Sequence, residues 1–284
     1  MQIIRDLAPL RDAVFSLRGQ GGRIALVPTM GALHEGHISL VRAAKARADH
    51  VVVSIFVNPM QFGPNEDLDA YPRQEARDAA LLEQEEVAVL WAPTVDVMYP
   101  AGFATSISVS GVSEGLCGAA RPGHFDGVAT VVTKLFNQVR PDVALFGEKD
   151  YQQLAVIRRV VADLDQPVGI VGVPTARAED GLALSSRNAY LSADERARAV
   201  ALPHAMQEGV ARLEAGEEAG AVLADIRAAL ERAGFGPIDY VELCDAVSLA
   251  PVRSLAAEAR LLVAARLGTT RLIDNFPVLP DRKM

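Results

Sequence analysis

Near the start of this 284-residue chain a strand, a helix and a second strand follow one another, and this pattern limits the fold more than any other feature. The apolar segment RIALVPT (23–29) predicts a buried strand, and residues 36–49 carry apolar side chains at the spacing of one helix face. The segment HVVVSIFV (50–57) is almost continuously apolar, which is typical of a strand covered on both faces. Two strands joined by a helix form a βαβ unit with a right-handed crossover. We therefore expect a parallel sheet.

The same alternation continues over most of the chain. Periodicity predicts helices at 75–86, 127–139 and 149–164, and strands at 87–93, 142–147 and 168–175. These elements predict an α/β fold over residues 1–175, a Rossmann-like parallel sheet with helices on both faces. Beyond it, helices at 193–215 and 218–233 precede strands at 238–244, 259–266 and 270–276, which predicts a smaller C-terminal α+β domain over residues 176–284.

Composition and charge narrow the classes of partner. The chain has 28 basic and 36 acidic residues, a net charge of −8, without the basic stripe expected of a nucleic-acid binder. No apolar run is long enough to cross a bilayer, and the N-terminal segment lacks the apolar block of a signal peptide. We therefore expect a cytoplasmic protein without a nucleic-acid or membrane partner. Its two cysteines, Cys117 and Cys244, are expected to be reduced thiols.

The segment PTMGALHEGH (28–37) joins the first strand to the helix and is the first candidate site. Backbone amides and the positive end of a helix dipole attract phosphate at such a point, and His34 and His37 would add two donors. The histidines are three residues apart, so the zinc motif HExxH does not fit, and neither a P-loop nor GxGxxG is present. The alternative is structural: one histidine caps the helix and the other packs.

The segment FGEKDYQQ (146–153) follows another predicted strand. Lys149 stands at the start of a helix, where a cation is unfavourable against the dipole unless it has an anionic partner. Gln153, four residues on, projects from the same side. The alternative is an exposed lysine beside Asp150, an ordinary acidic residue of a first helical turn.

Three further segments carry polar groups. In LSSRNAYLS (184–192), two serines and Arg187 are suited to bind phosphate, although the segment also reads as a turn before a helix capped by Ser192. SIFVNPMQFG (54–63) and ARPGHF (120–125) place four polar side chains next to a strand or helix end, and each pair alone is a weak signal: Asn58 with Gln61, and Arg121 with His124.

Taken in order, PTMGALHEGH, SIFVNPMQF, YPR, RPGHFDGV, FGEKDYQQL and ALSSRNAYLS resemble the pantoate–β-alanine ligase family over essentially the whole chain. HxGH alone indicates only the wider nucleotidyltransferase superfamily. The resemblance implies that pantoate attacks the α-phosphorus of ATP to form pantoyl adenylate and pyrophosphate, and that β-alanine then displaces AMP. It also implies Mg²⁺ with the ATP, a homodimer, and a C-terminal domain that closes over the nucleotide.

The resemblance also implies roles for individual residues. His34, His37 and Lys149 would be catalytic, with His37 as the proton donor. The substrate site for pantoate and β-alanine would contain Gln61 and Gln153 with Asn58, supported by Arg121, His124 and Tyr71. Asp78 would be a partner of the metal, which the phosphates of ATP mainly hold. The ATP pocket would consist of Met30, Gly31, Ala32, Leu33, His34, Glu35, Gly36, His37, Gly147, Glu148, Lys149, Asp150, Ala176, Leu184, Ser185, Ser186 and Arg187.

One position departs from the family pattern, because Cys117 stands where relatives tend to have glutamate. This puts a supporting carboxylate contact of that loop in doubt. Two other functions also fit part of the motif set. One is another HxGH-type adenylyltransferase that acts on a phosphorylated acceptor, and the other is an ATP-binding sensor without catalytic activity.

Overall fold

Six strands form one parallel sheet in the computed structural model of the chain, which describes residues 1–19, 21–64 and 66–280. The strands are β1 (Gln2–Ile4), β2 (Ile24–Thr29), β3 (His50–Ile55), β4 (Val89–Trp91), β5 (Val143–Gly147) and β6 (Gly169–Val173). Their order across the sheet is β1-β4-β3-β2-β5-β6. Ala25 of β2 lies opposite Val51 on one side and Val143 on the other, both in parallel register. The predicted α/β class is confirmed.

Helices cover this sheet. They are α1 (Leu7–Arg18), α2 (Glu35–Lys45), α3 (Glu75–Gln84), α4 (Val95–Met98), α6 (His124–Val139) and α7 (Tyr151–Asp163). Between α4 and α6 the chain also forms the short helix α5 (Cys117–Ala120). Ala25 and Val27 of β2 pack with Val41 and Ala44 of α2 in one core. Leu26 alternates with these β2 residues and is fully buried too, so both faces of the strand are covered, as its apolar sequence predicts.

The C-terminal part forms a second, antiparallel sheet with helices against it. Its elements are α8 (Ala193–Ala199), α9 (Ala201–Glu214), α10 (Ala219–Arg232), β7 (Phe235–Asp245), β8 (Ala259–Leu267) and β9 (Thr270–Val278), with strand order β7-β8-β9. Met206 and Ile226 of the helices share a core with Leu261 and Val263 of β8. This confirms the predicted smaller α+β fold. Within the described ranges, no helix is long and apolar enough to cross a bilayer.

Some elements differ from the sequence prediction. The single helix predicted at 193–215 is interrupted at Val200, because Pro203 has no N–H to donate and its ring crowds the carbonyl of Ala199. The helix predicted at 149–164 begins as a 3-10 turn, Glu148–Asp150, before α7. Strand β1 and helix α1 are additions to the predicted elements. The predicted cap at Ser192 is present, and its Oγ accepts a hydrogen bond from Glu195 N at 3.2 Å.

The contacts between residues divide the chain into two units. Unit 1 contains Met1–Ser110, Arg121–Glu148 and Gln153–Pro174, and unit 2 contains Gly111–Ala120, Lys149–Gln152 and the chain from Thr175 onward. The main change of unit thus lies next to the boundary predicted at residue 175. Two short segments of the predicted first domain, 111–120 and 149–152, group with unit 2 instead.

Candidate functional site

The strand order of unit 1 reverses between β2 and β5. From β2 the sheet extends through β3 and β4 in one direction, whereas β5 and β6 extend it in the other. Open α/β sheets bind ligands beyond the carboxyl ends of their strands at such a point. The two predicted histidines follow β2, and Gly147 and Glu148 lie at the end of the adjacent strand β5. The fold therefore places predicted site residues at the edge where a ligand is expected.

The loop between β2 and α2 needs a glycine at its first bend. Gly31 has a φ of +83°, a backbone conformation that side chains disfavour. A Cβ added there would also lie 3.1 Å from both Asp78 Oδ2 and Ile55 Cγ2. The amide of Gly31 donates to Thr29 Oγ1 at 3.2 Å, and this hydroxyl donates to Ser54 O at 2.8 Å. The loop is thereby tied to the ends of β2 and β3.

Asp78 of α3 holds the next two residues of the loop. Its Oδ2 accepts a hydrogen bond from Ala32 N and its Oδ1 one from Leu33 N, each at 2.8 Å. The residue is buried, and this burial raises the pKa of its carboxyl group, against the lowering effect of the two N–H donors. Each carboxylate oxygen of Asp78 thus holds one backbone N–H, and its role as a partner of the metal stays a prediction. Among the residues that the structure describes, no cluster of three or more His, Cys, Asp or Glu side chains could hold a metal ion.

His34 and His37 form a reciprocal cap at the start of α2. His34 Nδ1 accepts a hydrogen bond from Gly36 N at 3.1 Å, and His37 Nδ1 accepts one from His34 N at 3.3 Å. The two rings lie with their centroids 4.1 Å apart. Because a backbone N–H only donates, each Nδ1 is unprotonated and the proton of the neutral imidazole is on Nε2. The structural alternative expected one histidine to cap the helix, and in the structure both do. The same bonds leave the proton of each ring on Nε2, which is therefore a hydrogen-bond donor.

This cap changes how the loop can bind an anion. The sequence predicts free backbone amides after β2, but the structure uses the amides of Gly31, Ala32, Leu33, His34 and Gly36 inside the protein. The cause is that Thr29, Asp78 and the two imidazoles provide the acceptors. The carboxylate of Glu35 is also engaged, with Arg42 Nη1 at 2.6 Å. Besides backbone amides, the start of α2 therefore carries two imidazole Nε2–H groups as hydrogen-bond donors.

Gln61 is the last residue of the 3-10 turn Pro59–Gln61, and both ends of its side-chain amide have a partner. Its Oε1 accepts from Asn58 Nδ2 at 3.0 Å, and its Nε2 lies 3.3 Å from the sulfur of Met30. Asn58 is buried, donates to Gly127 O at 3.1 Å and accepts from the Tyr99 hydroxyl at 2.7 Å. Asn58 therefore orients Gln61, and its predicted contribution to the substrate site is a supporting one.

Arg121 and His124 hold the main chain of the same glutamine. His124 Nδ1 lies 2.8 Å from Gln61 O, and its Nε2 lies 2.9 Å from Arg121 Nη1. A guanidinium only donates, so His124 accepts at Nε2 and donates from Nδ1 to the Gln61 carbonyl. Arg121 also pairs with both oxygens of Glu66, at 2.7 and 2.5 Å. Partial burial raises the pKa of Glu66, but the pairing with Arg121 outweighs it and leaves that pKa below its usual value.

The other predicted residues of unit 1 have varied surroundings. Tyr71 is buried, with its ring edge-on to Phe62 at 6.0 Å between centroids. Gln153 is half-buried, and its side chain makes no hydrogen bond within the described part of the chain. The carboxylate of Glu148 lies over Gly172 of β6, where a Cβ would be 3.1 Å from Glu148 Oε1. Among the predicted substrate residues of the described chain, Gln153 is thus one whose side-chain amide is not used in a hydrogen bond that stabilises the fold.

Unit 2 contains Lys149 and the serine–arginine segment, residues 184–187, and both make contacts within this unit. Lys149 Nζ is 3.9 Å from Asp150 Oδ2, and the lysine side chain is 18% exposed, so it is not the fully solvated lysine of the structural alternative. Ser185 caps the 3-10 helix Ser186–Tyr190 by accepting from Arg187 N at 3.2 Å. Leu184 N donates to Ala176 O at 2.9 Å, which joins the two predicted ATP segments of unit 2.

The chain resembles known proteins over almost its whole length. Residues 2–277 match the family model described as pantoate-beta-alanine ligase. The chain belongs to the pantoate-beta-alanine ligase family. It is 64% identical over 280 residues, 99% of each chain, to the pantothenate synthetase of Rhizorhabdus wittichii. As a member of this ligase family it is an enzyme that condenses pantoate with β-alanine.

Solved structures of the ligase family agree with the fold. The crystal structure of pantothenate synthetase from Thermus thermophilus superposes with a TM-score of 0.93 at 47% identity, covering 99% of this chain and 100% of that one. The ligase from Francisella tularensis, solved with beta-gamma ATP and β-alanine, has a TM-score of 0.82 at 35% identity and 97% coverage of both chains. The similarity extends over both units of the fold.

Several residues that shape the site have no clear signal in the sequence. Tyr99 and Glu66 are single polar residues outside the family motifs, and Gly127, although it belongs to the motif RPGHFDGV, has no role predicted for it. A Cβ at Gly127 would come within 2.7 Å of Gln61 N, so only glycine lets α6 approach the 59–61 turn. Their roles depend on contacts between distant parts of the chain, and composition or periodicity does not reveal such contacts.

Proposed function

We propose that this ligase activates pantoate as its AMP ester and that the His34–His37 pair provides donors to the phosphates of ATP. The observation that carries the proposal is the reciprocal cap, which leaves Nε2 as the protonated nitrogen of both neutral rings. The carboxylate of (R)-pantoate attacks the α-phosphorus, and pyrophosphate leaves. The amine of β-alanine then attacks the acyl carbonyl, and AMP leaves. The Francisella ligase complex with an ATP compound and β-alanine supports both substrates.

The electrostatics of the first step explain the need for these donors. Attack at phosphorus increases negative charge on the nonbridging oxygens and on the leaving pyrophosphate. A preorganised donor at such a position lowers the barrier by roughly 3–4 kcal/mol. The family resemblance assigns His37 as the proton donor; in the capped tautomer its Nε2–H acts as a hydrogen-bond donor to a phosphate oxygen, as does that of His34, and Lys149 adds a positive charge to a phosphate. A protein with a net charge of −8 can bind an anionic nucleotide because these groups act locally.

Two glutamines, Gln61 and Gln153, bind the acid substrate pantoate. Gln61 is fixed by Asn58 through its side chain and by His124 through its carbonyl, so its amide is preorganised to bind pantoate. Gln153 provides the second amide. The positions of Arg121 and His124 support the expectation that they contribute by holding Gln61. Tyr71, being buried, contributes by packing at the loop that follows Gln61.

The rest of the ATP site comes from segments with the family motif. Met30 to His37 line the nucleotide, together with Gly147, Glu148, Lys149 and Asp150. Ala176 and the run Leu184, Ser185, Ser186 and Arg187 contribute from unit 2. Magnesium enters with its substrate as Mg-ATP, held mainly by the phosphates.

The proposal is tested by mixing enzyme, Mg-ATP and pantoate with or without β-alanine, and by measuring AMP, pyrophosphate and pantothenate. We expect AMP release that requires both pantoate and β-alanine. Turnover only with a phosphorylated acceptor would favour the adenylyltransferase alternative. ATP binding without turnover would favour the sensor. We also infer a cytoplasmic homodimer from the family resemblance, and light scattering at micromolar concentration would detect a monomer instead.

A further inference from the structure

The turn that carries Lys149 is held by unit 2. The carbonyl oxygen of Lys149 accepts a hydrogen bond from Asn275 Nδ2 at 2.9 Å. Asn275 belongs to β9 and is 3% exposed, so its amide is shielded from water. The segment Lys149–Gln152 groups with unit 2, although the residues on both sides of it belong to unit 1. The main chain at Lys149 is thus fixed by the C-terminal sheet.

Asn275 is itself locked in one orientation. Its Oδ1 accepts from Arg260 Nε at 2.7 Å, and its backbone N–H donates to Asp274 Oδ1 at 2.7 Å. An arginine only donates, so Oδ1 must face Arg260 and Nδ2 must face Lys149. Arg260 is 6% exposed, and its guanidinium carbon lies 4.1 Å from the centroid of the Tyr151 ring, two residues after the lysine. One network thus holds the turn at two points.

The surroundings make this network rigid. Asp274 receives two bonds from Arg177, at 2.7 and 2.9 Å, and Arg177 stacks on Phe276 at 4.0 Å from its ring centroid. The Tyr151 hydroxyl donates to Ala246 O at 2.9 Å. Bonds that involve charged groups are stronger than neutral ones, and burial strengthens them further. The position of the Lys149 backbone therefore depends on side chains more than 100 residues later in the chain.

We propose that Asn275, held by Arg260, is a positioning residue that sets the location of Lys149 during the activation of pantoate. The inference rests on the proposed function of Lys149 as a phosphate contact. A lysine acts as a point charge on a flexible stem, so its backbone origin determines which oxygen it reaches. Misplacement of a catalytic group by about 1 Å can lower a rate by about 100-fold. Asn275 would act through Lys149 and not on the substrate itself.

The test is a double-mutant cycle on the adenylation step, measured as pantoate-dependent exchange of labelled pyrophosphate into ATP. Asn275→Asp keeps an acceptor for Arg260 but replaces the donor to Lys149 O with a carboxylate oxygen. We expect its exchange rate to fall by about 10- to 100-fold with little change in the KM for pantoate. In a Lys149→Ala background the same substitution should cause no further loss, because residues that act as a unit are not additive.

Controls separate positioning from a general loss of structure. Thr270→Val alters a buried hydroxyl on the same strand and should keep wild-type exchange. Arg260→Lys keeps the charge but removes the Nε donor and the planar stack on Tyr151. This variant should show the same loss of exchange, and it replaces Asn275→Asp as the test if Asn275→Asp does not fold. The inference would be overturned if the two losses multiply in the double variant, or if Asn275→Asp exchanges pyrophosphate at the wild-type rate. Pantothenate formation by the unmodified enzyme would show in either case that the proposed function still holds. Wild-type exchange in Lys149→Ala would overturn both the inference and the assigned role of the lysine.

Discussion

At the scale of single residues, the two nitrogens of each imidazole have separate duties. In His37, Nδ1 accepts from His34 N and holds the cap, whereas Nε2 carries the proton that we assign to phosphate. His37→Asn places an amide oxygen near the Nδ1 position, and His37→Gln places an amide nitrogen near Nε2. We expect the Asn variant to keep its thermal stability but to lose about 10²- to 10³-fold in adenylation rate.

The Gln variant provides the matched comparison. It should retain more adenylation activity than the Asn variant while its melting temperature falls, because His34 N loses its acceptor. If instead the Asn variant is as active as wild type, the donor role of His37 is wrong.

Two adjacent glutamines allow a test of the acid site. Gln152 is buried and makes three hydrogen bonds, to Cys117 N at 2.9 Å and to the carbonyls of Val112 and Gly115 at 3.0 and 2.8 Å. The side chain of Gln153 makes no hydrogen bond within the described residues. Gln153→Ala should raise the KM for pantoate with little change in melting temperature, and Gln152→Ala should lower the melting temperature instead. A rise in the KM for ATP alone in Gln153→Ala would show that the acid site lies elsewhere.

The ion pair between Glu66 and Arg121 predicts a dependence of stability on pH. The folded state lowers the pKa of Glu66, so the pair fully stabilises the protein above the ordinary pKa of a glutamate, and this stabilisation is lost as pH falls through the lower pKa of the folded state. Glu66→Gln should therefore be less stable than wild type at pH 7, and the difference should shrink near pH 3. Urea unfolding at both pH values measures it. An equal difference at the two values would contradict the assignment.

At the scale of elements, α3 supports the loop before α2 through one carboxylate. Asp78→Asn must turn its NH₂ group toward the N–H of either Ala32 or Leu33, because both oxygens are used. A buried donor left without an acceptor costs about 1–3 kcal/mol. We expect a lower melting temperature and a higher KM for ATP. Glu75→Gln, on the exposed face of the same helix, is the control, and an equal effect from both variants would argue against a specific anchor.

The elements also show what the sequence could predict. Apolar periodicity is sufficient to predict β2, α2 and β3 from the sequence, because each of these elements buries a continuous apolar face. It failed at Pro203, where a single residue interrupts a helical pattern, and for β1, whose three residues are too short for a period to appear. The loop geometry was beyond prediction as well, since Asp78 lies 46 residues from Ala32 in the chain. The sequence therefore predicted the amides of this loop as free when they are bonded.

At the scale of the whole molecule, family motifs predict the residues of the site, and the fold shows which structural elements carry them. The βαβ alternation predicted a parallel sheet, but the order β1-β4-β3-β2-β5-β6 and its reversal beside β2 come from the structure. Likewise the motif FGEKDYQQ looks continuous in sequence, yet its middle residues 149–152 group with unit 2. Such a division follows from contacts of Asn275 and Gln152 that no local pattern encodes.

The proposed reaction proceeds through an acyl adenylate, and isotope transfer is the most direct measurement of this intermediate. Pantoate labelled with ¹⁸O in its carboxylate is incubated with the enzyme, Mg-ATP and β-alanine, and the products are analysed by mass spectrometry. If the carboxylate attacks the α-phosphorus, one labelled oxygen must leave with AMP when the amide bond forms. Labelled AMP is the predicted result. Unlabelled AMP, or the label in inorganic phosphate with release of ADP, would contradict the account.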